Sequence, residues 1–370
     1  MTRRTKVLGV ILLVVVAALS GLVLVLGHDA PCAPAQALAA NAQAMQAAVY
    51  RCYGPPEVVK IEAIEKPALE DDRVLVKVHA ASINPLDWHY VRGQPFIMRA
   101  DIGVGVPKDV RLGVDFAGTI ESVGKNVKRF KPGDEVFGAR GGALAQYITV
   151  HQDRVIALKP AGLTFEQAAA VPVAALTALQ GLRDFGKLQS GQKVLINGAS
   201  GGVGTFAVQI AKSFGADVTG VSSTKNVELV RSLGADHVID YTREDFTQGA
   251  QRYDLIFDCV GNHPLLDNKR VLQRHGVYIG IAGGGPQDQG LFGPLGGMLK
   301  IMVLSPFVSQ KLDTFEADLN PKDLGLLRDL LESGKVRSVV DRSFKLAQTA
   351  EAIRYLEQGH ARGKVIVTMD

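Results

Sequence analysis

Long runs of apolar residues in the second half of the chain predict a series of buried β-strands. Val194-Leu195-Ile196 is followed by a glycine cluster, and apolar residues then recur at helical spacing over 206–211. Comparable apolar runs cover 217–221, 253–260 and 276–282. Nearly continuous apolar strands are typical of a parallel sheet that helices cover on both faces. The pattern predicts a doubly wound α/β domain, assigned to residues 169–312.

The first half of the chain shows shorter strand patterns, separated by Gly and Pro. Residues 47–50, 74–80 and 114–123 are predicted strands, and residues 47–168 are therefore interpreted as a β-rich domain. Beyond the α/β domain, residues 313–370 are predicted to alternate helices and strands, at 324–333, 339–344, 350–358 and 362–367.

The glycine cluster after the strand at 193–197 has the order strand, tight turn and helix that a dinucleotide-binding loop requires. Unpaired N–H groups and the helix dipole at such a helix start favour a pyrophosphate. A tight structural turn is the alternative interpretation. The candidate cofactor-binding residues of this loop are Ala199, Ser200, Gly201, Gly202, Val203 and Gly204.

The end of the next strand indicates which nicotinamide cofactor is preferred. NAD-binding proteins place an acid there to accept from the ribose 2′-OH, whereas this chain has Ser222, Ser223 and Lys225. Hydroxyls and an ammonium suit a 2′-phosphate, so NADPH is predicted over NADH; the alternative is that Lys225 lies on a solvated helix face. Val260 and Gly261 end the following apolar strand, where ligands bind in such sheets.

A dense group of polar side chains follows the strand at 74–80 and is the candidate catalytic cluster. A structural turn is the alternative, because Asn-Pro and Asp favour turns. Asn84 and Asp87 are predicted to line the pocket, Asn84 as a hydrogen-bond donor. His89 and Tyr90 are candidates for giving a proton to the substrate oxygen.

Composition and charge exclude nucleic acid as a partner. The net charge is only +4, from 41 basic and 37 acidic residues, and no basic stripe interleaved with aromatics is present. The three cysteines, Cys32, Cys52 and Cys259, lie far apart. We interpret them as small apolar residues, without a disulfide framework or a metal-binding pattern.

A stretch without charged residues, Val7 to Gly27, precedes the predicted domains. As a helix it would be about 30 Å long, enough to cross a membrane. Residues 1–27 are predicted to be an uncleaved single-pass anchor and 28–46 a linker. A cleaved signal peptide is the alternative, although the small-x-small motif at 37–39 lies well past the apolar stretch.

The predicted location is therefore the membrane, with the side of the domains unresolved. The basic residues Arg3, Arg4 and Lys6 precede the apolar stretch, which favours a cytoplasmic N-terminus and domains on the opposite side. A soluble nicotinamide cofactor argues for the cytoplasmic side instead.

Ordered motifs extend from about residue 47 to the end of the chain. They are Tyr53-Gly54-x-Pro56-Glu57, Val74-Leu75-Val76-Lys77-Val78, Ala81-Ser82-Ile83-Asn84-Pro85-x-Asp87, Gly113-x-Asp115-Phe116-Ala117-Gly118, Lys131-Pro132-Gly133-Asp134-x-Val136, Ala174-Ala175-Leu176-Thr177-Ala178 and Gly198 through Gly204. In this order they resemble the medium-chain dehydrogenase/reductase superfamily, in its zinc-free quinone-oxidoreductase branch.

The resemblance implies a GroES-like catalytic domain at 47–168, a Rossmann NADP-binding domain at 169–312 and a return of 313–370 to the catalytic domain. The active site would lie in the cleft between the two domains. The resemblance also implies cofactor contacts for Thr177 and Tyr241, and it leaves a homodimer open.

The resemblance allows a direct comparison with zinc-dependent relatives. These carry a cysteine near position 84, a Gly-His-Glu at 113–115 and a four-cysteine lobe. Here Asn84 and Val114-Asp115 stand at the first two places, and no cysteine cluster exists, so no metal is predicted.

Without zinc, an already electrophilic acceptor is favoured. The predicted function is hydride transfer from NADPH to a quinone or an α,β-unsaturated carbonyl compound. The alternatives are a membrane-anchored NADP(H)-binding protein without turnover and an alcohol dehydrogenase-like oxidoreductase.

Overall fold

The computed structural model describes residues 13, 14, 17, 20–35, 37–281, 301, 305 and 308–369. Within them the strands are β1 (Ala44–Val49), β2 (Lys60–Glu65), β3 (Arg73–Ile83), β4 (Asp115–Val123), β5 (Glu135–Ala139), β6 (Tyr147–His151), β7 (Ile156–Leu158), β8 (Lys193–Asn197), β9 (Asp217–Ser222), β10 (His237–Asp240), β11 (Tyr253–Asp258), β12 (Leu272–Ile281), β13 (Lys311–Phe315), β14 (Val340–Lys345) and β15 (Lys364–Thr368). The α-helices are α1 (Pro85–Arg92), α2 (Arg99–Ile102), α3 (Phe165–Ala169), α4 (Pro172–Gln180), α5 (Gly202–Ser213), α6 (Val227–Ser232), α7 (Leu265–Arg270), α8 (Pro321–Glu332) and α9 (Thr349–Glu357).

Six parallel strands form one sheet, in the order β10-β9-β8-β11-β12-β13. The apolar run Val194-Leu195-Ile196 forms part of its centre and is fully buried, as a strand covered on both faces requires. The direction in which strands are added reverses between β8 and β11, which is the topological switch point of a Rossmann-like fold. The predicted doubly wound parallel sheet is confirmed.

A second sheet is largely antiparallel and takes strands from both ends of the described chain. Its order is β14-β15-β3-β4-β5-β7, with β6 also paired to β3. β15 lies antiparallel to β3, with Val365 opposite Ile83. The end of the chain therefore completes this GroES-like domain. The predicted boundary between 312 and 313 falls inside β13, which belongs to the parallel sheet.

One buried apolar cluster extends across both sheets. Ala117 and Phe137 of the antiparallel sheet belong to the same cluster as Leu176 of α4 and Phe257 of β11. Close packing of this shared core holds the two sheets in a fixed relation. The end of β3, the start of β4 and the loop after β8 lie close together around Lys364.

The segment before β1 is packed against the GroES-like domain by Arg99, whose side chain is buried. Arg99 Nη1 donates to the carbonyl oxygens of Leu26 and His28, each at 3.0 Å, and pairs with Asp29 at 2.8 Å. Its guanidinium also stacks on Tyr53, 4.3 Å from the ring centroid. Part of the predicted linker 28–46 is thus ordered on the domain, and β1 begins within it.

Cys32 and Cys52 form a disulfide, so the interpretation of all three cysteines as unpaired apolar residues was wrong for these two. The spacing in the sequence did not reveal the pair, because it depends on the folding back of the segment that Arg99 holds. The Cα atoms lie 4.5 Å apart. Cys259 remains a free thiol, and burial raises its pKa.

Most of the predicted membrane anchor lies outside the described residues. Residues 20–26, at its end, are helical. In the portion of the chain that the structure describes, no helix combines the length and apolar character needed to span a membrane. The anchor stays a prediction.

Candidate functional site

The glycine-rich loop joins β8 to α5 at the carboxyl edge of the parallel sheet. Gly198 has a φ of 81°, a left-handed conformation that favours glycine. A Cβ on Gly204 would lie 2.1 Å from the carbonyl oxygen of Gly198, so α5 packs on β8 only without a side chain there. Gly201 precedes the first turn of α5, where no side chain caps the N–H groups. These groups are available to an anion.

The remaining predicted residues of this loop lie where the sequence places them, with different exposure. Ala199 is fully buried, and its backbone N–H donates to the carbonyl of Val221 on β9. Ser200 and Val203 are half-buried. A Cβ on Gly202 would contact the side chain of Lys364 at 3.1 Å, so the end of the chain borders the loop.

A polar network lies at the switch point, next to the glycine-rich loop. Asn197 Nδ2 donates to Asp258 Oδ1 at 2.9 Å, and Tyr278 Oη donates to Asp258 Oδ2 at 2.9 Å. The backbone N–H groups of Val260 and Gly261 also donate to Asp258, at 3.0 and 2.8 Å. The network fixes the turn after β11, which was predicted to contact the cofactor. Asn197 and Asp258 were missed, although each is a polar residue at the end of an apolar strand.

The end of β9 offers hydroxyl groups and one exposed ammonium. Ser222 is buried, Ser223 is half-buried and Lys225 is exposed, with no ion pair to any residue that the structure describes. Tyr241 lies next to Ser222, because its backbone N–H donates to the Ser222 carbonyl at 3.0 Å. Its side chain is exposed.

Asn226 connects this strand end to the glycine loop and was not predicted. Its Nδ2 donates to Ser200 Oγ at 3.1 Å and to Ser223 Oγ at 3.3 Å. Its Oδ1 is buried and has no hydrogen-bond partner among the described residues. An unsatisfied buried acceptor is costly unless a ligand or water satisfies it. The glycine loop, Ser223 and Asn226, together called the cradle below, therefore fit a bound dinucleotide.

Asp240 at the end of β10 lies opposite Ser222 of β9 in the sheet register. Its oxygens accept from Thr224 at 2.5 Å and from Thr242 at 2.7 Å, and it pairs with Arg243 at 3.4 Å. These bonds lower the pKa of Asp240, chiefly the bond from Thr224. They also occupy the acceptor positions that a ribose hydroxyl would use.

Thr177 lies on α4 and faces inward. Its hydroxyl donates to the carbonyl of Val173 at 2.7 Å, one helical turn earlier, and its side chain is mostly buried. The structure places Thr177 on the helix whose first turn contacts the catalytic cluster described next.

The predicted catalytic cluster begins where β3 ends and α1 starts. Asn84 Nδ2 donates to Asp115 Oδ2 at 2.9 Å, and Asn84 Oδ1 accepts from Lys364 Nζ at 2.5 Å. Asp87 accepts the backbone N–H of Asn84 at 2.7 Å and that of Gly113 at 2.9 Å. The structure thus brings two of the predicted residues, Asn84 and Asp87, into one buried network.

Asp115 and Lys364 are the two charged members that the prediction did not include. Asp115 accepts from Ser82 Oγ at 2.6 Å and from the backbone N–H of Val173 at 2.9 Å. Lys364 Nζ lies 3.6 Å from Asp115 Oδ2 and donates to the Ile83 carbonyl. The glycine-flanked acid in Gly113-Val114-Asp115 was a usable signal in the sequence, whereas nothing near Lys364 indicated its partner.

Burial dominates the protonation of this network. It raises the pKa of Asp87 to about 6, against the stabilising hydrogen bonds from Asn84 and Gly113. Burial lowers the pKa of Lys364, while the negative charges of Asp115 and Asp87 oppose that shift.

His89 is mostly buried on α1 and stacks on Trp88, with ring centroids 3.6 Å apart. Its Nδ1 lies 2.7 Å from the carbonyl oxygen of Gln94, an arrangement in which Nδ1 carries the proton. Burial lowers the pKa of His89. The neutral ring then presents Nε2 as an acceptor, which argues against His89 as the proton donor.

Tyr90 is half-buried, one residue further along α1. Burial raises its pKa, and the charges of Asp87, Glu316 and Asp101 add to this rise. Glu316 directly follows β13, so Tyr90 lies within electrostatic range of the Rossmann-like domain.

The acidic groups of the cluster do not fit a zinc ion. Both oxygens of Asp87 accept backbone N–H groups, and both oxygens of Asp115 accept hydrogen bonds. Lys364 adds a positive charge beside Asn84, the position where zinc-dependent relatives have a ligand. Across the described part of the chain, no group of three or more His, Cys, Asp or Glu side chains is arranged to hold a metal ion.

Comparisons with known proteins agree with this architecture. Residues 70–160 match the alcohol dehydrogenase GroES-like domain, and residues 233–367 match the zinc-binding dehydrogenase family. The chain is 35% identical over 338 residues to the 2-methylene-furan-3-one reductase of Solanum lycopersicum, covering 87% of this chain and 79% of that protein. It is 36% identical over 339 residues to the chloroplastic NADPH-dependent alkenal/one oxidoreductase of Arabidopsis thaliana, with the same two coverages.

A solved structure shows the same relationship. The quinone oxidoreductase from Coxiella burnetii superimposes with a TM-score of 0.75 at 30% identity, covering 89% of this chain and 100% of that one. The chain belongs to the medium-chain dehydrogenase/reductase superfamily, in its quinone oxidoreductase-like branch. It is an oxidoreductase of this family that uses a nicotinamide cofactor.

Proposed function

We propose that this protein transfers a hydride from NADPH to a quinone or an α,β-unsaturated carbonyl compound, without zinc. The observation that carries the proposal is the network of Asn84, Asp115 and Lys364 beside the glycine loop. Its carboxylate, that of Asp115, already accepts hydrogen bonds and its cation is an ammonium, so the network orients polar groups rather than binding a metal.

The choice of acceptor follows from the polarising groups that the site offers, which are hydrogen-bond donors. Reducing a simple carbonyl is easier when a metal polarises it, whereas quinones and enones accept hydride with hydrogen-bond help alone. The printed names of the relatives, a 2-methylene-furan-3-one reductase and an alkenal/one oxidoreductase, favour acceptors with a conjugated C=C bond.

The chain's own residues divide the work of the reaction. When bound, NADPH supplies the hydride. Asn84 has a second N–H on Nδ2 besides the one given to Asp115, and it donates this to the substrate or nicotinamide side. Tyr90 carries a proton throughout the neutral pH range and is the candidate donor to the enolate or hydroquinone oxygen that forms.

The preference for NADPH over NADH is part of the proposal. The exposed ammonium of Lys225 and the hydroxyl groups of Ser222 and Ser223 suit a 2′-phosphate. The neighbouring Asp240 keeps its negative charge, because the hydrogen bond from Thr224 holds its pKa low, and Arg243 pairs with it. Its hydrogen bonds to Thr224 and Thr242 occupy the positions that a ribose hydroxyl would need.

We also propose that residues 1–27 anchor the protein and, although the soluble NADPH of the proposed reaction argues for the cytoplasmic side, that the domains lie on the side of the membrane opposite the N-terminus. Disulfides persist in oxidising compartments, and the Cys32–Cys52 bond is compatible with that orientation. Protease digestion of sealed, oriented membrane vesicles tests this: domains on the cytoplasmic face would overturn the orientation.

The function is tested by steady-state NADPH oxidation with a panel of quinones, enals and enones. Saturable NADPH binding without turnover on any acceptor would favour the non-catalytic alternative. Metal-dependent reduction of NADP by alcohols would favour the alcohol dehydrogenase-like alternative.

A further inference from the structure

Lys364 is a buried lysine in the first position of β15, far along the chain from the residues that its ammonium contacts. Its side chain is 4% exposed. Its Nζ donates to Asn84 Oδ1 at 2.5 Å and to the carbonyl of Ile83 at 3.3 Å, and lies 3.6 Å from Asp115 Oδ2. These contacts join β15 to the end of β3, to Asn84 at the start of α1 and to Asp115 at the start of β4.

The backbone just before Lys364 reaches the cofactor loop. Gly363 pairs with Gly201 in an isolated parallel bridge. The φ of Gly363 is 99°, and a Cβ there would lie 2.3 Å from the carbonyl of Val339, so only glycine permits this approach. The stem of Lys364 runs beside Gly202. One residue therefore spans from the glycine loop to the amide of Asn84.

The charges on either side of Asn84 determine how its amide is turned. The oxygen faces the ammonium of Lys364, and the nitrogen faces the carboxylate of Asp115. The flipped amide would place N–H groups against an ammonium and an oxygen against a carboxylate, and both contacts would be repulsive. Lys364 and Asp115 together select one orientation.

We infer that Lys364 is a positioning residue for the proposed reaction: its ammonium fixes the orientation of Asn84 and connects that amide to the loop that holds the cofactor. The inference rests on the proposed function. Lys364 acts through Asn84, whose second N–H is thereby kept available for the reacting groups.

A double-mutant cycle on the full chain in detergent tests this inference. Lys364→Met retains the length of the stem and removes the ammonium. We expect kcat to fall about 10- to 100-fold, the range for a lost hydrogen bond to a charged group, with the KM for NADPH changed less than about twofold. Asn84→Ala lowers kcat similarly, and adding Lys364→Met to it causes no further loss.

Lys159 provides the matched control. Its side chain is also 4% exposed, pairs with Glu135 at 3.0 Å and donates to a backbone carbonyl, that of Leu163. Lys159→Met leaves kcat unchanged. If Lys364→Met does not accumulate in folded form, Lys364→Gln replaces it, because its amide is one bond too short to reach Asn84 and the same coupling is expected.

The outcomes separate the two claims. If the unmodified protein turns over, but the losses of Lys364→Met and Asn84→Ala multiply in the double variant, the positioning role is overturned and the proposed function stands. The same conclusion follows if Lys364→Met raises the KM for NADPH and leaves kcat unchanged. Absence of turnover by the unmodified protein on every acceptor overturns the proposed function and the inference with it.

Discussion

The carboxylate of Asp87 accepts the backbone N–H of Gly113 at 2.9 Å and thereby joins α1 to the segment that leads into β4. The same carboxylate accepts the N–H of Asn84, so it holds the turn on which the catalytic cluster is built. It does so while fully buried, beside the negative charge of Asp115.

The first prediction concerns pH. The folded-state pKa of Asp87 is about 6, above its unfolded value, so its contribution to stability is greatest below pH 4 and is lost as pH rises through about 6. The difference corresponds to about 3 kcal/mol. Urea unfolding of the unmodified protein and of Asp87→Asn at pH 4.5 and pH 7 checks this. The unmodified protein should lose stability relative to the variant as pH rises. If the difference in free energy of unfolding between the two proteins is the same at both pH values, the raised pKa of Asp87 is refuted.

The second prediction concerns the disulfide. The Ser replacements of Cys32 and Cys52 together should lower the free energy of unfolding by about 3 kcal/mol, because the bond closes a loop with a sequence separation of 20. Reducing agent should destabilise the unmodified protein by the same amount as the double replacement does, and it should leave the stability of the double variant unchanged. Cys259→Ser is the control and should retain sensitivity to reducing agent. Equal sensitivity in the double variant would show that the bond is absent.

The third prediction compares two glycines of the cofactor loop. Gly204→Ala brings a Cβ within 2.1 Å of a backbone carbonyl and should destabilise the fold by about 1–3 kcal/mol. At Gly201 the nearest atom to an added Cβ is 3.4 Å away, so Gly201→Ala should fold normally and lose NADPH affinity, because the methyl group occupies pyrophosphate space. Thermal unfolding with and without NADPH separates the two effects. Unaltered NADPH stabilisation of Gly201→Ala would argue against a phosphate cradle here.

The fourth prediction concerns cofactor choice. Lys225→Ala removes an exposed ammonium and should weaken NADPH binding about tenfold or more, while NADH binding stays the same. Equilibrium titration with both cofactors provides the measurement, and NADH serves as the internal control. Equal losses for both would place Lys225 away from the 2′-phosphate.

The fifth prediction assigns the proton donor. Tyr90→Phe should lower kcat, whereas His89→Asn should change it far less, because the proton on His89 Nδ1 is held by the Gln94 carbonyl. Steady-state kinetics of the two variants at one pH checks this. A larger loss in the His89 variant would reverse the assignment.

Local sequence patterns predicted much of this protein because the features concerned are local. The apolar run of β8 and the adjoining glycines specify strand, turn and helix within a dozen residues. Asn84 and Asp87 stood out because several chemically active side chains follow one strand. Their roles in catalysis stay predictions.

The features that the sequence did not predict depend on contacts between residues that are far apart in the chain. Lys364 reaches Asn84 only because β15 pairs with β3, a contact across 280 residues. Cys52 meets Cys32 only because the segment before β1 folds back onto the GroES-like domain, where Arg99 is one of the residues that bind it. Asn226 connects two loops that are separate in sequence. No local pattern contains these relationships.

The most direct test of the account is NADPH oxidation by the purified full chain, assayed across quinones, enals and enones after treatment with a metal chelator. We expect saturable, acceptor-dependent NADPH oxidation that the chelator does not diminish. Loss of activity on chelation that zinc restores would contradict the zinc-free mechanism, and absence of oxidation with every acceptor would contradict the proposed reaction.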